Sequence, residues 1–213
     1  MTALANILFI LILTLNLFAL GNGRILSVIK IVAMQGLLLG LLPLLLEQKY
    51  GVKEIASALT AVAIKAVIIP GMMAKALRDV QIKREVEPYI SLLASIILGA
   101  FVTSLAFLFF TEARFSLEGA AAMILPASMA TVVVGFIMLV TRYKALSQVL
   151  GYLVLENGIY IFSLLLLDAI PIVIELGMLL DLFVSVFVVS IITNHINQAF
   201  ASLDTRKLSV LKE

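Results

Sequence analysis

The sequence predicts an all-α polytopic membrane protein of about seven transmembrane helices, and three observations predict it. Of 213 residues, 63% are hydrophobic and only 13% are charged, with a mean hydropathy of +1.19. A soluble domain of this size must solvate its surface and is never so apolar. The apolar residues fall in runs of about 20, the length needed to cross a hydrocarbon core. The stretches between them are short and polar, leaving no space for a soluble domain.

Thr2–Leu20 is apolar, with no Lys or Arg before it and no small-residue cleavage site. It therefore reads as a first span rather than a signal peptide. Gly21-Asn22-Gly23-Arg24 turns into the second span, Ile25–Leu46, and Glu47–Glu54 leads to the third, Ile55–Leu77. Within the third, Pro70 cannot donate to the carbonyl of Ala66 and is expected to weaken or kink the helix. Arg78–Pro88 precedes a fourth span, Tyr89–Phe110, and Thr111–Gly119 a fifth, Ala120–Val140. Thr141–Lys144 leads to the sixth, Ala145–Leu167, and Asp168–Pro171 to the seventh, Ile170–Ile196, before a polar tail.

Charge orients these spans. Arg24, Lys75, Arg78, Lys83, Arg84, Arg142, Lys144, Arg206, Lys207 and Lys212 fall on one set of connections, and only Lys49, Lys53 and Arg114 on the other. The positive-inside rule puts the first set in the cytoplasm, with Met1 outside and Glu213 inside. An odd number of spans requires that split.

A faint echo divides the chain. Arg24-Ile-Leu-Ser-Val-Ile-Lys enters the second span as Lys144-Ala-Leu-Ser-Gln-Val-Leu enters the sixth. Each unit continues into a helix with a mid-span charge, Lys65 or Asp181. This reads as two parallel three-helix repeats, 1–80 and 116–213, joined by a crossing helix and its loops at 81–115; internal repeats recur in transport folds.

Chemistry is confined to a few residues. There is no cysteine and His195 is the single histidine, which excludes disulfides, thiolate metal sites and two-histidine haem or zinc sites. No Gly-rich phosphate loop or nucleophilic triad appears, so no catalytic residue, metal or cofactor is assigned to this chain. A net charge of +2, without a basic block among aromatics, gives no reason to expect nucleic acid.

What remains is ionisable groups inside the spans. A charge at bilayer depth costs between ~2.5 and ~17 kcal/mol, so Glu156, Asp181 and Lys65 should be neutral, paired or beside a wet path. On the sixth span, Gln148, Tyr152, Glu156, Tyr160 and Ser163 share one face, with Asn157 beside it. A carboxyl flanked by hydroxyls suits proton hand-over. The plainer reading is a protonated acid bonded across a helix contact. On the seventh, Asp181, Ser185 and His195 lie along one face, His195 roughly four turns toward the cytoplasm. An imidazole there is a proton exit group or a headgroup-level residue, and Glu175 an entry group or an interfacial acid. Lys65, one turn from Pro70, marks a cavity or a static ion pair with Glu156 or Asp181. Gln35 holds in the first repeat the place of Glu156 in the second; it cannot titrate but can order water or accept a hydrogen bond.

The segment Arg142-Tyr-Lys-Ala-Leu-Ser-Gln-Val-Leu-Gly-Tyr-Leu-Val-Leu-Glu156-Asn-Gly-Ile-Tyr resembles the second helix of the K-type small subunit of respiratory complex I, and the helix with Asp181 resembles its third. The whole chain resembles the hydrogenase-4 component E family more closely. Gly151-Tyr-Leu-Val-Leu-Glu156-Asn-Gly, Ile64-Lys65-Ala-Val-Ile-Ile-Pro70 and the tail Leu203-Asp-Thr-Arg-Lys-Leu-Ser-Val-Leu-Lys carry the resemblance.

That resemblance implies a non-catalytic subunit in the cell (inner) membrane, within a formate hydrogenlyase-type, group 4 nickel–iron hydrogenase assembly. Its partners would be antiporter-like membrane subunits, a hydrogenase membrane anchor and a peripheral nickel–iron and iron–sulfur arm. Glu156, Asp181 and Lys65 would then belong to a mid-membrane proton or ion path coupled to electron transfer. Aspartate at 181, where the complex I subunit usually has glutamate, shortens the reach, and Gln35 and Lys65 replace both acids in the first repeat. Two alternatives stand beside this: a scaffold between membrane modules, and a subunit of a multi-subunit cation/proton antiporter without a redox arm.

Overall fold

The computed structural model describes residues 2–46, 52–79, 88–110 and 121–166. Among these the chain is all-helical, with no strand. The helices are α1 (Thr2–Gly21), α2 (Ile25–Leu46), α3 (Val52–Val62), α4 (Ile69–Asp79), α5 (Leu92–Phe109), α6 (Ala121–Thr141) and α7 (Ala145–Ser163). A π-helical segment, Ala63–Ile68, joins α3 to α4, and a 3₁₀ turn, Leu164–Leu166, ends α7. Among the described residues, five helices are long and apolar enough to cross a membrane: Ala3–Gly21, Ile25–Leu46, Ala58–Lys75, Leu92–Phe109 and Ala122–Thr141. The protein is a membrane protein. The predicted seventh span, with Asp181, Ser185 and His195, lies outside the described residues.

Most boundaries fall within a residue or two of their sequence expectation. The fourth span starts later, at Leu92 rather than Tyr89, because Ser91 caps it. Its Oγ accepts from the N–H of Ala94 at 3.1 Å, satisfying a donor that the first turn leaves over. The third span departs more. Where Pro70 is expected to weaken or kink the helix, the backbone widens into a π turn just before the proline, with Val62 and Ile69 helical on either side.

The most extensive helix contact is α6 against α7. It is permitted by glycines: a Cβ at Gly158 would sit 2.5 Å from the backbone nitrogen of Val132. Around this pair lie α1 and α2, with α5 outside α1 and α6, and the α3–α4 rod against α2.

At one end of the bundle three connections are clasped together. Arg142, 1% exposed, donates from Nη2 to the carbonyl of Leu20 at 2.6 Å, a C-terminal carbonyl of α1 that its own helix cannot satisfy. The N–H of Tyr89 donates to the carbonyl of Thr141 at 2.8 Å. Tyr89 and Tyr143, both exposed, meet edge to face at 5.7 Å, as amphipathic rings do at a membrane interface. Burial lowers the pKa of the Arg142 guanidinium from its ordinary value.

Candidate functional site

A buried polar layer crosses the bundle between two apolar clusters. One cluster, toward the Arg142 end, holds Leu20, Ile25, Val32, Met73, Met138 and Val154 among others. The other holds Phe9, Ile12, Leu39, Leu42, Ile124 and Ile161. Between them, on every helix concerned, comes a polar residue: Asn16 on α1, Gln35 on α2, Thr131 on α6, and Glu156 and Asn157 on α7. Lys65 on the π segment meets them from the side. All six are buried. Gln35, Lys65 and Thr131 sit near the middle of their elements, Glu156 and Asn157 just past the middle of α7, and Asn16 five residues before the end of α1, so the layer lies between the two ends of the bundle.

Among the described residues, the charged half of the layer is one ion pair. Lys65 Nζ donates to Glu156 Oε1 at 2.6 Å, with the side chains 5% and 4% exposed. The Tyr160 ring lies 5.2 Å from Nζ, within cation–π range. The π turn is what points Lys65 here. In it the N–H of Ile69 bonds back five residues, to the carbonyl of Ile64. Pro70 has no N–H for the next bond in either register, so the wider turn sacrifices less there than elsewhere. The same bulge presses the Lys65 backbone against α2: a Cβ on Gly36 would sit 2.7 Å from the Lys65 carbonyl oxygen. Only glycine at 36 permits that approach.

The neutral half is a chain of amides running one way. Asn157 Nδ2 donates to Gln35 Oε1 at 3.4 Å, Gln35 Nε2 to Asn16 Oδ1 at 2.7 Å, and Asn16 Nδ2 to Thr131 Oγ1 at 2.9 Å. Thr131 ends it by donating to the carbonyl of Ala127 at 2.7 Å. Four buried side chains thus satisfy one another across four helices, as buried polar groups must.

The two halves do different chemistry. A carboxyl and an amine can trade a proton, so the pair can exist ionised or neutral. Side-chain amides keep their protons near neutral pH and only donate or accept hydrogen bonds. A proton reaching Glu156 therefore has no continuation through Gln35, Asn16 and Thr131. That chain ties four helices together.

Of the sequence candidates, Lys65, Glu156 and Tyr160 come together, and Pro70 follows the π turn that positions Lys65. Gln35 is in the layer as a member of the amide chain. Tyr152, one turn from Glu156, packs on the apolar cluster toward Arg142. Gln148, in the first turn of α7, donates to the Arg142 carbonyl at 3.0 Å. Ser163 donates to the Tyr160 carbonyl at 2.7 Å. Asn16 and Thr131 are not among the sequence candidates. Their signal is slight: neutral polar residues inside largely apolar spans that hold other neutral polar residues as well.

No family model matches the chain, and no solved structure matches it. It is 31% identical over 194 residues to "Uncharacterized protein Rv0085" of Mycobacterium tuberculosis (strain ATCC 25618 / H37Rv), covering 88% of this chain and 86% of that protein.

Proposed function

The chain belongs to the family of that mycobacterial protein, and we propose that it is a non-catalytic membrane subunit whose Lys65–Glu156 pair is part of a mid-membrane proton or ion path. One observation carries this: two oppositely charged side chains, buried 2.6 Å apart in the polar layer of an apolar bundle. A path needs a group that changes charge, a partner that makes either state tolerable, and insulation above and below. Glu156, Lys65 and the two apolar clusters have those attributes. Asp181, Ser185 and His195 extend the same proposal along the seventh span.

The finer architecture belongs to this reading: seven spans, parallel repeats at 1–80 and 116–213, an outside N-terminus and a cytoplasmic C-terminus in a cell (inner) membrane. One feature supports the alternation of the spans. The connections expected on one side, after α1, before α5 and after α6, meet at one end.

The assembly is proposed from the motif resemblance alone. The subunit would sit between antiporter-like subunits and a hydrogenase anchor, coupled to a peripheral nickel–iron and iron–sulfur arm. The test is affinity purification of the tagged chain in mild detergent, with mass spectrometry of the proteins that co-purify. Hydrogenase and iron–sulfur subunits are expected. Antiporter subunits alone would discard the redox arm and leave the ion path.

A scaffold is the second reading, favoured by the amide chain, which ties four helices with groups that carry no proton. It expects Glu156→Gln and Asp181→Asn to lose assembly. The path reading expects assembled complexes whose electron transfer persists while ion translocation falls.

A further inference from the structure

Beside the ion pair is a small cavity lined by Val32, Lys65, Ile69, Leu153, Glu156 and Asn157. The space open to the centre of a water molecule is about 10 Å³, room for one water and nothing larger. Glu156, 4% exposed, lines it, and its second oxygen, Oε2, has no hydrogen-bond partner among the described residues. A carboxylate oxygen left so in an apolar interior is costly.

We propose that this cavity is a binding site for a single water molecule, held between Glu156 Oε2 and the Asn157 amide. The lining selects the ligand. The Lys65 ammonium on the wall repels a metal cation, and one carboxylate with one amide falls short of the oxygen set a cation needs. The Glu156 carboxylate repels an anion. What fits is a neutral molecule with one heavy atom that both donates and accepts. Asn157 offers it an N–H beyond the one given to Gln35.

Such a water has a consequence no lining side chain supplies. When Glu156 is ionised, the water donates to Oε2; when Glu156 carries a proton on Oε2, the water turns and accepts it. Either state leaves no unpaired carboxyl oxygen, so the carboxyl can change protonation within the buried polar layer. This role rests on the proton-path reading; the existence of the site does not.

The test is a structure of the full chain in its purified membrane complex, at a resolution that shows ordered water. Expected is one density peak about 2.7–3.0 Å from Glu156 Oε2 and within hydrogen-bond reach of Asn157. In Val32→Ile, where an added methyl fills the cavity, the peak is expected to be lost with the Lys65–Glu156 pair retained. No peak in the wild type, or a peak at the shorter contacts of a metal ion, overturns the site. A peak beside a Glu156 that never changes protonation keeps the water and sinks the proton path instead.

Discussion

Lys65 and Glu156, 91 residues apart in the chain, meet at 2.6 Å because a widened helical turn and a glycine let two helices close. The lysine is delivered by the π segment before Pro70, and Gly36 admits its backbone against α2. The pair is thus a product of backbone geometry as much as of charge.

Removing either member breaks a buried ion pair. Lys65→Met and Glu156→Leu are each expected to destabilise the protein by about 3–5 kcal/mol, and the double variant by less than their sum. Thermal unfolding of the four proteins in one detergent checks this. Full additivity would mean that the two side chains do not interact.

Restoring the missing N–H at position 70 favours an α-helical register, which turns Lys65 by roughly 100° relative to α4. Pro70→Ala is therefore expected to lose stability to about the same extent as Lys65→Met. Combined with Lys65→Met it should add little, and the same unfolding series reads the outcome.

Two glycines should respond in opposite ways. Gly36→Ala forces the Lys65 backbone away and is expected to destabilise. Gly71→Ala meets nothing within 4 Å and is expected to be neutral or to stabilise by up to about 1 kcal/mol, since alanine is the better helix former. Melting temperatures of the two variants decide it.

The amide chain separates holding from conducting. Gln35→Leu leaves Asn16 Oδ1 and Asn157 Nδ2 without partners and is expected to cost about 1–3 kcal/mol for each. Gln35→Glu places a group that exchanges protons between Asn157 and Asn16. It is expected to raise the passive proton permeability of vesicles containing the protein. Unchanged permeability would mean that the amides are not what stops the path there.

The sequence made Glu156 and Lys65 legible because ionised residues in apolar runs are expensive and therefore rare. It flagged a backbone fault at Pro70 as well. That the fault is a π turn, N-terminal to the proline, depends on how α2 packs at Gly36, which no local pattern encodes. Asn16 and Thr131 carry little signal because neutral polar residues in a span are cheap, and their partners lie far along the chain. Arg142 reads from sequence only as one of the loop charges that orient the spans. The fold buries it because the end of α1 needs a donor.

The measurement closest to the central claim is infrared difference spectroscopy of the purified complex at rest and during turnover, with Glu156→Gln as the reference. A carboxyl band that changes with turnover in the wild type and is missing from the variant is expected. A Glu156 carboxyl that holds one protonation state throughout would contradict its place in a proton path and leave the Lys65–Glu156 pair as a structural clip.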